Sequence, residues 1–334
     1  MFIKKCRVCN SNDIHEIVDL GSHPPADTFI PAEYEFLHLP VYPLRLALCN
    51  NCNHVFTKYY VTPEERYQKY EYSYDSSNSV VAEEHFKNFA DSVIKFSKLT
   101  KDSLIIDIGG NVGTLLSKFR DRGFSNLLNI EPSENIAKIS SQNDFKTFNK
   151  FFDESIDEIK QINTVDCILS SNVLNHTDDI NAVLEKVNEI MSPQGVLVFE
   201  VPYLYDLVEQ VAFDTIYHEH VHYFSVKALK HLMEKNNFTI THIMNINYMC
   251  GSLRVFVQKK SNDVNESDDV RKFIEREESA DLFKISKYQE FMLNIKNMKI
   301  DINSQIYNII KDGGKVVGVG AATKGNTLLN YFNL

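Results

Sequence analysis

The chain has 334 residues, 43% of them hydrophobic, with 35 basic residues against 45 acidic ones and a formal net charge of -10. That length exceeds one small domain and fits two or three. The acidic balance, with no basic stripe able to follow a phosphate backbone, argues against nucleic acid as a partner. No stretch approaches the roughly 20 apolar residues that span a bilayer, and the N-terminus lacks a signal-peptide core, so a cytoplasmic protein without a membrane partner is expected.

From the N-terminus, four of the six cysteines form two CxxC pairs, Cys6/Cys9 and Cys49/Cys52, in CRVCN and CNNCN. One tight turn presents both thiolates of a pair to one metal, and two such turns complete a tetrahedral four-cysteine zinc site. A closed shell of four thiolates leaves no position for water or substrate, which assigns it to folding. In a reducing compartment disulfides are the weaker alternative. Cys167 and Cys250 sit in apolar strands and read as core residues.

Helical spacing runs from Val80 to Leu99 and leads into IIDIGGNVGTLL, an apolar strand ending in Asp107 and a turn with Gly109, Gly110 and Gly113 that opens a helix. Glycines let the backbone approach a ligand, and the following helix N-terminus offers unpaired N–H groups. The next apolar strand, LLNIEP, ends on Glu131, whose carboxylate can accept from both hydroxyls of a ribose. A Rossmann dinucleotide site also fits, but Asn111 stands where the second glycine of GxGxxG belongs. Motif I of S-adenosylmethionine (SAM) methyltransferases fits better, since there the acidic residue ends the strand itself. A bare structural turn is the remaining reading.

Alternating units follow: a strand at Leu127–Ile130, a helix near Ser133–Gln142, a strand at Val165–Ser170, a helix at Asp179–Met191 and a strand at Gly195–Val201. Such alternation predicts a parallel, doubly wound sheet with ligands at the strand carboxyl ends, where Asp107, Glu131, Asn172 and Glu200 all fall. A helix at Val226–Lys235 and the strands THIMNI and SLRVFVQKK add an antiparallel edge hairpin. A polar linker at Ser261–Asp269, a further helix, and KVVGVGAATKGNTLLNYF as strand, glycine loop and helix complete the chain.

Between these elements lies DTIYHEHVHYFS, residues 214–225. His218-Glu219-His220-Val221-His222 matches HExxH formally, but the flanks are β-branched and aromatic, and a helix N-cap falls only at Ser225, so a zinc-protease helix is rejected. In a loop, a histidine here can act as general base, Glu219 can fix its tautomer, and Tyr217 can donate to a developing oxyanion.

Together, the two CxxC pairs, YEYSYDSSNS, DIGGNVGTLL, SNVLNHTDD, YHEHVHYFS, GSLRVFV and GAATKGNTLLNY resemble, in order and over essentially the whole chain, the bacterial sugar C-methyltransferases that alkylate nucleotide-linked deoxy-keto-sugars. The resemblance implies an α/β chain in three parts. These are a four-cysteine zinc domain at 1–68, a Rossmann-like SAM methyltransferase domain at 69–262, and a linker helix with a partial C-terminal Rossmann-like unit at 263–334. It implies SAM and a structural zinc as cofactors, with Asp107, Gly109, Asn111, Gly113, Glu131 and Asn172 at the SAM site. It also implies that His220 removes the proton next to a keto group, supported by Tyr217 and Glu219. His176 lines the same pocket, and a tyrosine from the YSYDSS stretch, Tyr74 or Tyr72, joins from the N-terminal side.

Two departures stand out. Val112 replaces the family's Asp in the glycine turn, and the chain stops at Leu334, just after the first strand-loop-helix of the C-terminal domain. A separate polypeptide completing that domain is one expectation, and a catalytically impaired SAM-binding remnant is another. An O- or N-methyltransferase is the competing activity. Lys324 is a candidate phosphate contact.

Overall fold

The computed structural model describes residues 1–26, 39–63, 66, 76–77, 79–320 and 322–334. Tyr72 and Tyr74 lie outside the described residues. In chain order the elements begin with β1 (Ile14–His23), β2 (Tyr42–Cys49), β3 (Val55–Thr57), α1 (Val80–Phe96), β4 (Ile105–Ile108) and α2 (Thr114–Arg120). Next come β5 (Leu127–Ile130), α3 (Glu134–Gln142), β6 (Lys146–Phe148), α4 (Ile156–Ile162), β7 (Val165–Ser171), α5 (Ile180–Ile190) and β8 (Met191–Pro202). The remainder are α6 (Leu204–Glu209), β9 (His222–Tyr223), α7 (Val226–Lys235), β10 (Phe238–Ile246), β11 (Ser252–Lys259), α8 (Asp268–Ser279), α9 (Ile285–Lys311) and α10 (Thr323–Phe332).

These elements sort into two units. One gathers Met1–Tyr70, Leu204–Ser225 and Arg276–Leu334; the other holds Glu71–Tyr203 and Val226–Glu275.

The second unit carries a seven-stranded sheet in the order β10-β11-β8-β7-β4-β5-β6. β6, β5, β4, β7 and β8 run parallel, while β11 is antiparallel to both β8 and β10. β4 (IIDI) and β5 (LLNI) are buried at every position, as expected of strands covered on both faces. α1 starts where Ser79 caps it, its hydroxyl accepting from the Ala82 N–H at 3.4 Å. Its residues Ala82, His85, Phe86, Phe89, Ala90 and Val93 recur at helical spacing and are buried. Phe86, Phe89 and Val93 join Leu115, Leu116, Phe119 and Val198 in the core of this unit.

The first unit is built on an antiparallel sheet of order β1-β2-β3-β9. The histidine-rich stretch is irregular, with a 3-10 turn at Phe213–Thr215, until His222 and Tyr223 pair with Phe56 and Val55. Its core joins Leu44, Leu46 and Val55 to Leu207 and Phe213, to Tyr288, Phe291 and Ile295 of α9, and to Phe332 of α10.

One expected element does not form. Residues 315–320 of KVVGVG carry neither strand nor helix, and Val317 and Val319 are 77% and 97% exposed. A strand needs a neighbour for its ladder, and among the described residues none lies beside this segment. α10 packs instead onto the 3-10 turn, with the rings of Phe213 and Phe332 5.2 Å apart and Thr327 Oγ1 donating to the Ile216 carbonyl at 2.8 Å.

Candidate active site and metal centre

The cysteine sulfurs of Cys6, Cys9, Cys49 and Cys52 all lie within 4.8 Å of one another. Cys6 and Cys52 are 3.5 Å apart, as are Cys9 and Cys49. Tetrahedral zinc with Zn–S of about 2.3 Å places its sulfurs about 3.8 Å apart, so the four thiols fit one ion. Each knuckle ends on an asparagine in the left-handed region, Asn10 at φ 61° and Asn53 at φ 59°. Asparagine tolerates that conformation, which lets each turn close, Asn10 N–H on the Cys6 carbonyl and Asn53 N–H on the Cys49 carbonyl. The Val8 N–H also points at Cys6 Sγ, 3.4 Å away. With four protein sulfurs the shell is closed, so the ion holds two loops together and touches no substrate.

In the other unit, the glycine turn takes the conformation that its sequence requires. Gly109 and Gly113 have φ of 65° and 86°. A Cβ on Gly110 would overlap Asn129 Oδ1 and stand 2.8 Å from the Asp107 carboxylate. The turn is also held from below. Asn129 on β5 donates from Nδ2 to the Asn111 carbonyl and to Ser140 Oγ, both at 2.8 Å. The Asn111 N–H donates to Glu131 Oε2 at 3.1 Å, and Glu131 Oε1 accepts from the Ser133 N–H at 2.9 Å. The Asn111 side chain faces elsewhere, its Oδ1 accepting from the Ser76 N–H at 3.0 Å. Asp107 and Asn172, at the ends of β4 and β7, each bury an Oδ1 with no hydrogen-bond partner among the described residues. Burial, with Glu131 nearby, pushes the Asp107 carboxyl up to about 8, and burial also raises Glu131 against the pull of its backbone donors. A tightly packed glycine turn flanked by buried, unpartnered acceptors fits SAM, which carries amine and ribose donors. Asn172 has φ 55° and donates its N–H to the Glu200 carbonyl at 2.9 Å. His176 closes the 3-10 turn at Leu174–His176 that follows.

Tyr217, Glu219 and His220 lie in the first unit, Glu219 and His220 buried. His220 Nδ1 is 2.9 Å from the Thr215 carbonyl, which can only accept, so the proton sits on Nδ1 and Nε2 is bare. The Tyr217 hydroxyl then donates to Nε2 at 2.7 Å. Burial, with the Lys324 charge adding to it, pulls His220 down to about 3, so the ring is neutral at pH 7. The HExxH helix is absent, as the flanking residues predicted: His218 bonds the Tyr42 carbonyl at 3.2 Å, and His222 Nδ1 meets His54 Nε2 at 2.8 Å.

A glycine cradle at the carboxyl ends of a mixed, largely parallel sheet, with a four-thiol centre that turns over nothing, defines a SAM-dependent methyltransferase with a structural zinc. Family models agree part by part: a methyltransferase domain matches residues 81–243, a C-methyltransferase C-terminal domain 247–334 and a zinc binding domain 6–67. Between them the three models match nearly the whole chain and support C-methyltransferase activity with SAM. C-methyltransferase NovU of Streptomyces niveus is 27% identical over 329 residues, covering 98% of this chain and 78% of NovU. Among solved structures, magnesium protoporphyrin IX methyltransferase (ChlM) from Synechocystis PCC 6803 with bound SAM is 12% identical at a TM-score of 0.41, over 53% of this chain and 79% of that one. Mycolic acid cyclopropane synthase CmaA1 complexed with SAH and CTAB is 12% identical at 0.43, over 60% and 92%.

Two contributors escaped the sequence reading. The Thr215 carbonyl, not a side chain, fixes the His220 tautomer, and no residue type announces a backbone acceptor. Asn129 had a signal, a polar residue in the middle of a buried strand, which normally needs a specific bonding reason.

Proposed function

We propose that the chain transfers the methyl group of SAM to a ring carbon next to the keto group of a nucleotide-linked deoxy-keto-sugar. The observation that carries this reading is His220, a buried neutral imidazole with a bare Nε2 and a tyrosine hydroxyl on it. A carbon acceptor must lose a proton from C–H to such a base before transfer, whereas an oxygen or nitrogen acceptor needs no C–H deprotonation. Nε2 takes the proton from the carbon beside the ketone, and the C–H electron pair becomes the enolate. Displaced from Nε2, the Tyr217 hydroxyl is free to donate to the enolate oxygen. Glu219 and His176 serve as supporting residues, with Tyr74 the tyrosine assigned from the N-terminal side. Lys324, whose charge is felt at His220, is the proposed contact for the substrate's phosphates. Bound SAM supplies the methyl group, held by Asp107, Gly109, Asn111, Gly113, Glu131 and Asn172. The reaction belongs in the cytoplasm, where reducing conditions keep the four thiols available to zinc.

The exposed valines at 316, 317 and 319, with Tyr307, Ile309 and Ile310 on the last turns of α9, form an apolar surface of the kind that marks an interaction site.

Replacing His220 with Asn is expected to cost about 10²–10⁴ in methyl transfer while leaving SAM affinity unchanged. Wild-type protein with SAH should exchange the substrate's C–H for deuterium, and the variant should not. Full activity in the variant sinks the base; transfer without exchange favours an oxygen or nitrogen acceptor. SAM binding with no turnover on any keto-sugar nucleotide supports the remnant reading.

A further inference from the structure

A second buried ionic cluster in the SAM-binding unit is used by no step above. Glu200, at the carboxyl end of β8, is fully buried, and His85 Nε2 donates to its Oε2 at 2.6 Å. Arg254 Nε donates to Glu200 Oε1 at 2.6 Å, and Arg254 Nη1 donates to Ser92 Oγ at 2.6 Å and the Asn88 carbonyl at 3.0 Å. The Tyr248 ring stacks on His85, centroids 3.7 Å apart and planes 9° from parallel. Thus α1, β8 and β11 meet on one carboxylate, and the loop 247–251 between β10 and β11 packs on His85 beside it.

That loop is strained. Met249, Cys250 and Gly251 take φ of 51°, 68° and 103° in succession. Two adjacent non-glycine residues in the left-handed region persist only where their surroundings dictate it, and such strain gathers at functional sites. Here the surroundings are explicit: Gly251 N–H bonds the Tyr248 carbonyl at 3.0 Å, Ser252 Oγ the same carbonyl at 3.0 Å, and Tyr203 N–H the Gly251 carbonyl at 3.1 Å. The result pushes Met249, 39% exposed, and Cys250 outward, so Cys250 is an exposed turn residue and not the core strand residue its apolar flanks suggested. Since β10 runs parallel to β8, the loop lies at the same sheet edge as Asp107, Glu131, Asn172 and Glu200. Asp107 and Glu131 occupy the stretch of that edge given to the cofactor. Glu200 and the loop lie past Asn172 in the strand order, on the side of β7 away from β4 and β5, and Asn172 is itself tied to the Glu200 carbonyl.

We propose that Tyr248, Met249 and Cys250 form the acceptor-side lip of the methyl-transfer site, an apolar wall for the deoxygenated face of the sugar, and that His85, Glu200 and Arg254 are positioning residues that hold it. This rests on the keto-sugar reading above.

Three measurements on the full chain test it. Met249→Ala and Tyr248→Ala should raise the acceptor KM about tenfold with kcat and SAM affinity little changed; an unchanged acceptor KM, or SAM affinity falling in step, overturns the lip. His85→Gln should speed hydrogen exchange at amides 248–252 about tenfold with the remaining sheet amides unaltered; unaltered loop exchange overturns the holding role. In the SAH-loaded protein, a panel of nucleotide-linked keto-sugars should slow iodoacetamide alkylation of Cys250. Protection without turnover leaves the lip standing while the catalytic reading fails, and turnover without protection does the reverse.

Discussion

A base that takes a proton from carbon must be bare before its substrate arrives, and His220 is kept so by burial and by a carbonyl that claims its other nitrogen. The same burial has a cost in acid. His220 at about 3 and His218 at about 4 both lie below the ordinary histidine value of 6.5, so the unfolded chain binds protons that the folded one refuses. Their contribution to stability is intact above pH 6.5 and is lost as pH falls, by about 1.4 kcal/mol per pH unit for each histidine. Thermal unfolding followed from pH 7.5 to 5.5 should show this, with a shallower decline in His220→Asn than in the wild type. At Gly110, an added methyl has nowhere to go between Asn129 and Asp107. Gly110→Ala should cost about 1–3 kcal/mol of stability and abolish SAM binding by calorimetric titration, because the cradle must open to admit the Cβ.

Among the elements, α1 is the one whose packing and chemistry coincide, since the face that buries Phe86, Phe89 and Val93 also carries His85 to Glu200. Removing only the carboxylate leaves Arg254 buried and unpaired. Glu200→Ala should therefore lower stability by about 3–5 kcal/mol in urea unfolding, whereas Glu200→Met with Arg254→Met should recover most of that loss. Elements of this kind were legible in the sequence. Short runs that are apolar at three of four positions announced β4 and β5, and helical spacing from Val80 announced α1, because these depend on local pattern and burial. The failures are equally physical. KVVGVG has the composition of a strand, but strands are pairwise objects and composition does not supply a partner. β9, two residues long, has too little pattern to read and exists because β3 offers an edge. The glycine turn and its acidic neighbours were visible residue by residue, yet the side-chain contact of Asn111 with Ser76, thirty-five positions away, was not.

At the scale of the whole chain, the division into units follows contacts and not sequence order. The zinc knuckles, the histidine stretch and the last helices belong to one unit, although 133 and 50 residues of the other intervene between them. Reading by contiguous segments could not reveal this, because what unites the three is a core shared by Leu46, Phe213, Phe291 and Phe332. Stripping the metal should undo that unit selectively. For structural zinc the binding energy is folding energy, on the order of 10 kcal/mol. A strong chelator should make residues 1–70 and 276–334 sensitive to limited proteolysis, while 71–203 keeps its protection and SAM still binds; equal loss in both units would refute this. The same interleaving dictates an order of events on the ribosome. Both CxxC knuckles emerge early and can capture an ion at once, but their sheet lacks its hydrophobic cover until Tyr288, Phe291 and Phe332 have been synthesised. The SAM unit begins later yet is complete by Glu275, so it closes first, and the segment that bears His220 waits as an excursion from a finished domain for the last helices to arrive.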